Sequence, residues 1–94
     1  MELILYSKPG CHLCEGLQEK LEALQNLEFT LEIRDITTRP DWFAAYQYEI
    51  PVLCQRVETP AGVREFPLPR LSPRASIADV ERLIQKSAKR NEAQ

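Results

Sequence analysis

Apolar and polar residues along this chain fall into a sequence of recognisable periods. Leu3, Ile4, Leu5 and Tyr6 make an unbroken apolar run, which predicts a short strand over Glu2–Tyr6 covered on both faces. Ser7-Lys-Pro-Gly10 reads as a turn. Leu13, Leu17, Leu21 and Leu24 then recur at helical spacing, with Glu15, Glu19, Lys20 and Glu22 between them. This stripe predicts an amphipathic helix from Cys11 or His12 to Asn26, its leucines in the core. Leu27, Phe29, Leu31 and Ile33 alternate with Glu28, Thr30, Glu32 and Arg34, the pattern of a half-exposed strand at a sheet edge. Strand, helix and strand with short joins form a βαβ unit, so these two strands should be parallel.

The second half of the chain is shorter in its periods. Asp35–Arg39 is expected to be a loop, and Pro40 suits the first turn of a helix ending at Tyr46 or Gln47. Trp42, Phe43 and Tyr46 give that helix an apolar face, with Trp42 and Phe43 expected in the core. Ile50-Pro51 leads into a strand over Val52–Val57, and Thr59-Pro-Ala-Gly62 turns the chain into a partner strand over Val63–Leu68. These should form an antiparallel hairpin, with Pro67 and Pro69 confining the second strand to an edge. After a loop over Pro69–Ala75, Ser76 and Asp79 have near capping-box spacing. They open a helix from Ile77 to about Lys89, with Ile77, Val80, Leu83 and Ile84 inward and residues 91–94 frayed. The element order is β-α-β-α-β-β-α.

Composition narrows the class. At 94 residues, 44% apolar and 28% charged, the chain fits one globular domain over residues 1–94. A net charge of −2 gives no general attraction to nucleic acid or to an anionic membrane. No apolar run approaches bilayer length, and an acidic residue at Glu2 with an immediate strand is unlike an export signal. The expected compartment is the cytoplasm. Three cysteines do not make a structural disulfide framework, and in a reducing compartment a cysteine pair is usually transient and catalytic.

Cys11 and Cys14 stand where the predicted turn becomes the predicted helix. A free thiol has a pKa of about 8.5, but a sulfur among the unpaired N–H groups of a helix N-terminus is held as thiolate, with pKa values of about 3.5–7.5. Cys14 follows almost one turn later, so the two sulfurs can close a disulfide. Cys11 is thus the expected attacking thiol and Cys14 the one that resolves the mixed disulfide. A C-x-x-C is also half a structural zinc site, but zinc needs four ligands and only Cys54 and His12 remain to complete one. Cys54, in a predicted strand, reads as a small buried hydrophobe, with a regulatory thiol as the alternative. His12 reads as exposed; charged, it would favour the thiolate further.

With these residues in place, the chain resembles the glutaredoxin-like branch of the thioredoxin superfamily. The likeness rests on Tyr6-Ser-Lys-Pro-Gly-Cys-His-Leu-Cys14 and on Ile50-Pro51-Val52-Leu53, and it covers nearly the whole chain. It implies an α/β, thioredoxin-like three-layer fold, a four-stranded mixed sheet flanked by three helices. It also implies that Pro51 is cis and faces the disulfide, that the Ile50 backbone pairs with an extended thiol substrate, and that Lys8 approaches the thiolate and a glutathione carboxylate. Two stretches differ from the glutaredoxin pattern. His12-Leu13 replaces Pro-Tyr between the cysteines, and Arg70–Ser76 carries no counterpart of the Gly-Gly and Asp that hold the glutamyl end of glutathione.

The expected function is a dithiol-disulfide oxidoreductase, monomeric, with no tightly bound cofactor or metal. Its partners would be disulfide-containing proteins or glutathione, and its electrons would come from glutathione as co-substrate or from a protein reductase. Two other readings use the same residues. One is a redox sensor or partner-binding module with little turnover, with its surface near Trp42, Pro51 and Arg70. The other is a metal or iron–sulfur carrier dimer sharing Cys11 between subunits.

Overall fold

The computed structural model describes residues 1–92. Its elements are β1 (Glu2–Ser7), α1 (His12–Glu22), β2 (Thr30–Asp35), a 3-10 turn (Ile36–Thr38), α2 (Pro40–Tyr46), β3 (Val52–Thr59), β4 (Gly62–Pro67) and α3 (Ile77–Glu92). The strands form one mixed sheet in the order β2-β1-β3-β4. β1 pairs parallel with β2 and antiparallel with β3, and β3 pairs antiparallel with β4. The expected βαβ unit and hairpin are both present, with β2 and β4 at the edges. No described helix is long and apolar enough to cross a membrane.

β1 owes its central position to its apolar run. Leu3 and Leu5 point to one face, where they meet Leu21 of α1, Leu53 of β3, and Val80 and Ile84 of α3. Ile4 and Tyr6 point to the other, with Cys54 and Ile36, against Trp42 and Tyr46 of α2. These two cores give the three layers. A buried aliphatic side chain contributes about 1.5–3 kcal/mol, so the sheet holds α1 and α3 through a handful of residues.

The structure corrects several expectations, each for a physical reason. α1 stops at Glu22, not Asn26, where the Ala23 N–H turns back to the Glu19 and Lys20 carbonyls. Leu24 still packs on the core beyond the helix, so the apolar stripe outlasts the hydrogen-bonded turns. β2 begins at Thr30, not Leu27, because Thr30 pairs with Glu2, the first residue of β1. Leu27 and Phe29 pack on the core without a strand to pair with. The expected loop after β2 contains a 3-10 turn that buries Ile36 completely. Phe43 is 40% exposed, not core; seven residues of α2 turn Trp42 and Tyr46 inward at i, i+4, and Phe43 lies a quarter-turn away. Ile77 is also exposed, not part of the buried stripe; it is the first residue of α3.

α3 continues through Glu92, so the expected fraying at Asn91 and Glu92 does not occur; residues 93 and 94 lie outside the described residues. Asn91 is buried and its Nδ2 donates to Oε1 of the buried Gln55 at 2.9 Å. Ser76 and Asp79 form the anticipated reciprocal cap. Ser76 N–H donates to Asp79 Oδ2 at 2.9 Å, and Asp79 N–H to Ser76 Oγ at 3.1 Å. These bonds hold the Asp79 carboxyl below its ordinary value.

Candidate functional site: a cysteine pair at a helix start

Gly10 sits at φ +80°, a left-handed conformation that favours glycine, and it delivers the chain from the end of β1 to α1. Cys11 N–H donates to the Lys8 carbonyl at 3.3 Å, closing the turn. Cys11 is the N-cap of α1, and its Sγ accepts the Cys14 N–H at 3.2 Å. The Cys11 carbonyl accepts the Glu15 N–H at 3.0 Å, so the residue caps the helix with both its side chain and its backbone. Cys11 and Cys14 are joined as a disulfide, with Cα atoms 5.3 Å apart. Exposure separates the two. Cys14 is 2% exposed, whereas Cys11 is only partly covered.

The other anticipated residues fall into two groups. Ile50-Pro51 is cis, and Pro51 lines a cleft of about 340 Å³ with His12, Leu13, Gly16, Leu68 and Arg70. Ile50 packs instead against the α2-side core. Its N–H is already committed to the Tyr46 carbonyl at 3.1 Å, which leaves its carbonyl as the backbone group for pairing with an added strand. Lys8 is exposed and is not part of the cleft wall. The His12 side chain is 94% exposed, its Nδ1 3.5 Å from Glu15 Oε2.

Leu13 is a further residue that the periodicity placed in the core and the structure does not. It is 49% exposed and forms part of the cleft wall. Leu13 stands in the first turn of α1, and about half of it is left to solvent and the cleft. Gly16 was the available signal: glycine inside a helix costs about 1 kcal/mol against alanine, and a Cβ there would meet nothing within 4 Å. It faces open cleft. The far wall is held by the loop between β4 and α3. Lys20 Nζ donates to the Pro73 carbonyl at 3.0 Å, and an Arg70 Nη1 donates to the Glu49 carbonyl. The Glu49 and Lys20 contributions to this wall carried no sequence signal.

Trp42 is not in the cleft. It packs edge-on to Tyr6, ring centroids 5.8 Å apart, and lies under the guanidinium groups of Arg34 and Arg39 at 5.1 and 4.9 Å. Tyr6 is 3% exposed. Its hydroxyl donates to Glu65 at 2.5 Å and accepts from Arg34 at 2.7 Å. Arg34 also binds Glu65 Oε2 at 3.1 Å, so β2, β1 and β4 are tied together on this face. Burial and then the Glu65 bond push the Tyr6 hydroxyl well above its ordinary value.

Cys54 lies on this same face, away from the disulfide, and is completely buried. Burial, and secondarily the Glu65 charge, push its thiol up to about 11. A thiol that stays neutral when folded but ionises when unfolded stabilises the fold below its unfolded pKa and loses that contribution as pH rises through the folded one. With the Cys11–Cys14 disulfide intact, chemical denaturation should show stability falling between about pH 9 and 11, and Cys54→Ala should remove on the order of 1 kcal/mol of that fall. An unaltered pH slope in the variant would mean that this thiol ionises freely in the native protein.

Among the described residues, no group of three or more His, Cys, Asp and Glu side chains is placed to hold a metal ion. A thioredoxin-type sheet with a C-x-x-C pair capping its first helix, and a cis-proline sharing a cleft with the two residues between the cysteines, defines a redox-type class of protein. The glutaredoxin-like domain (DUF836) matches residues 2–85, and the chain belongs to that family. Its fold is similar to that of the structural-genomics target protein XcR50 from X. campestris, at 25% identity and a TM-score of 0.57 over 89% of this chain and 96% of that one. It is also similar to thioredoxin 1 from the thermophilic eubacterium Thermosipho africanus TCF52B, at 18% identity and a TM-score of 0.61, covering 98% and 99% of the two chains. No curated protein matches the chain.

Proposed function

We propose that the protein is a dithiol-disulfide oxidoreductase in which Cys11 attacks and Cys14 resolves. The observation that carries this reading is the Cys14 N–H donated to Cys11 Sγ at the start of α1. That amide, with the positive end of the helix, favours a negative sulfur. Lys8 and His12 stand in solvent, where their fields are screened, so the backbone supplies the larger share. In the reduced protein the Cys11 thiolate attacks a substrate disulfide. One S–S bond forms as another breaks, and the first substrate sulfur leaves as a thiolate and takes up a proton. The Cys14 thiol then loses its proton and attacks Cys11 Sγ, releasing the second substrate sulfur and forming the Cys11–Cys14 disulfide. The substrate gains two electrons and two protons; the protein gives up the two electrons and the Cys14 proton, and solvent supplies the other proton.

The exposure difference supports this division of labour, since an outside disulfide can reach Cys11 and not Cys14. The cleft walled by Leu13, Pro51 and Arg70 is the proposed substrate seat, with the Ile50 carbonyl accepting a substrate amide. Disulfide-containing proteins are the proposed substrates, in a reducing compartment such as the cytoplasm. Glutathione or a protein reductase would return the electrons to a monomeric chain. Thiolate absorbance of the reduced protein should show Cys11 ionising at about 3.5–7.5, a transition lost in Cys11→Ser. An ordinary thiol value near 8.5 would overturn the proposal.

A further inference from the structure

We propose that the cleft beside the cysteine pair is one end of a longer docking track whose other end, on α3, takes an acidic stretch of the partner polypeptide. This deepens the disulfide-exchange reading and rests on it. Leu71, Ser72, Ala75 and Leu83 line both the cleft and an open groove of about 800 Å³ beyond it, so the two run into each other across the β4–α3 loop.

The groove differs from the cleft in charge. Among the described residues, Arg74, Arg82, Lys86 and Lys89 surround it against a single carboxylate, Asp79, and that carboxylate is already bound to Arg82 and to the Ser76 cap. Arg82, Lys86 and Lys89 follow at i, i+4 and i+7, on one face of α3. At 1.5 Å per residue they span about 10 Å of helix, the reach of roughly three residues of extended chain. The whole chain carries −2, so this cationic strip stands against an otherwise acidic surface. An acidic partner is repelled elsewhere and oriented here. The floor of Leu71 and Leu83 suits apolar side chains alternating with the acidic ones. A nucleic acid would present charge over a far wider area than this strip can meet.

Exposed ion pairs are each worth little and are screened by salt, so the effect belongs in the association rate. The test uses pre-reduced protein in single-turnover reaction with two synthetic peptide disulfides. They share one cysteine pair and one apolar flank, and differ in a Glu-rich or a Gln-rich tail. Each rate is divided by that protein's rate with bis(2-hydroxyethyl) disulfide, so a general loss of reactivity cancels. At low salt the Glu-rich peptide should react at least about fivefold faster than the Gln-rich one. That preference should vanish at about 0.5 M salt, where the Debye length is only a few ångströms, and it should also vanish in the Lys86→Gln/Lys89→Gln variant. Equal rates for the two peptides, with reaction proceeding, overturn the acidic track alone. No reaction with any disulfide overturns the exchange reading beneath it. A short single-stranded DNA that competes as well as a free Glu-rich peptide of equal charge would make the strip a general polyanion site and overturn the choice of polypeptide.

Discussion

In Cys14→Ser protein, reaction with a disulfide substrate should stop halfway, leaving one substrate half bonded to Cys11 in nearly every molecule. Cys11 still caps α1 in that variant, because the amide it accepts belongs to the backbone of residue 14. Its thiolate still attacks, but no neighbouring sulfur remains to displace the product. Cys54 cannot substitute: it lies on the opposite face of the sheet with Ile4, Tyr6 and Ile36, fully buried, its thiol pushed up to about 11. Intact-mass analysis should find a single adduct, and peptide mapping should place it on Cys11. Cys11→Ser should form no adduct and lose at least about 10³-fold in rate, since a serine hydroxyl is not ionised by a helix N-terminus and its partner sulfur is out of reach. An adduct on Cys14 or Cys54, or appreciable turnover by Cys11→Ser, would reverse the assigned roles.

Leu21→Ala should cost about 2–5 kcal/mol, lowering the melting temperature by more than about 10 °C for a chain of this size. Leu21 is fully buried and meets Leu3, Leu5, Leu53, Val80 and Ile84. Removing it opens a cavity where α1, α3 and the sheet converge. Leu13→Ala, in the same helix and the same apolar stripe, should change stability by no more than about 0.5 kcal/mol, because half of that side chain already faces solvent. Urea denaturation of the two variants in the oxidised state makes the comparison. Equal losses would place Leu13 in the core and remove it from the cleft wall.

That contrast marks the limit of periodicity as a guide. Leu13 and Leu21 are indistinguishable by spacing, and only the tertiary fold separates them: Leu21 lies in the core, whereas Leu13 lines the cleft. The element order, the parallel pairing of β1 with β2 and the β3–β4 hairpin were legible because each rests on a local pattern. So was the placement of Cys11 and Cys14 at a helix start, since turn, cysteines and helix are contiguous. The cis Ile50-Pro51 bond followed from family likeness, not from spacing. Contacts between distant residues were not legible. Tyr6 reaches Glu65 across 59 positions and Arg34 across 28, and neither partner carries any local mark of the other. The Ile50 backbone was expected to meet substrate, and nothing local to it announced that its N–H is taken up by the end of α2. Ile36 sits in a stretch without period, so its burial had no pattern to announce it.

The C-terminal helix has a practical corollary for anyone making the protein. The family match ends at residue 85, whereas α3 runs on to Glu92. A recombinant fragment trimmed at that boundary would amputate the final two turns, strip away Ala88, and sever the amide of Asn91 from Gln55 on β3. Purification tags belong beyond this segment, and a shortened version that expresses poorly would be reporting a lost anchor instead of an intrinsically weak fold.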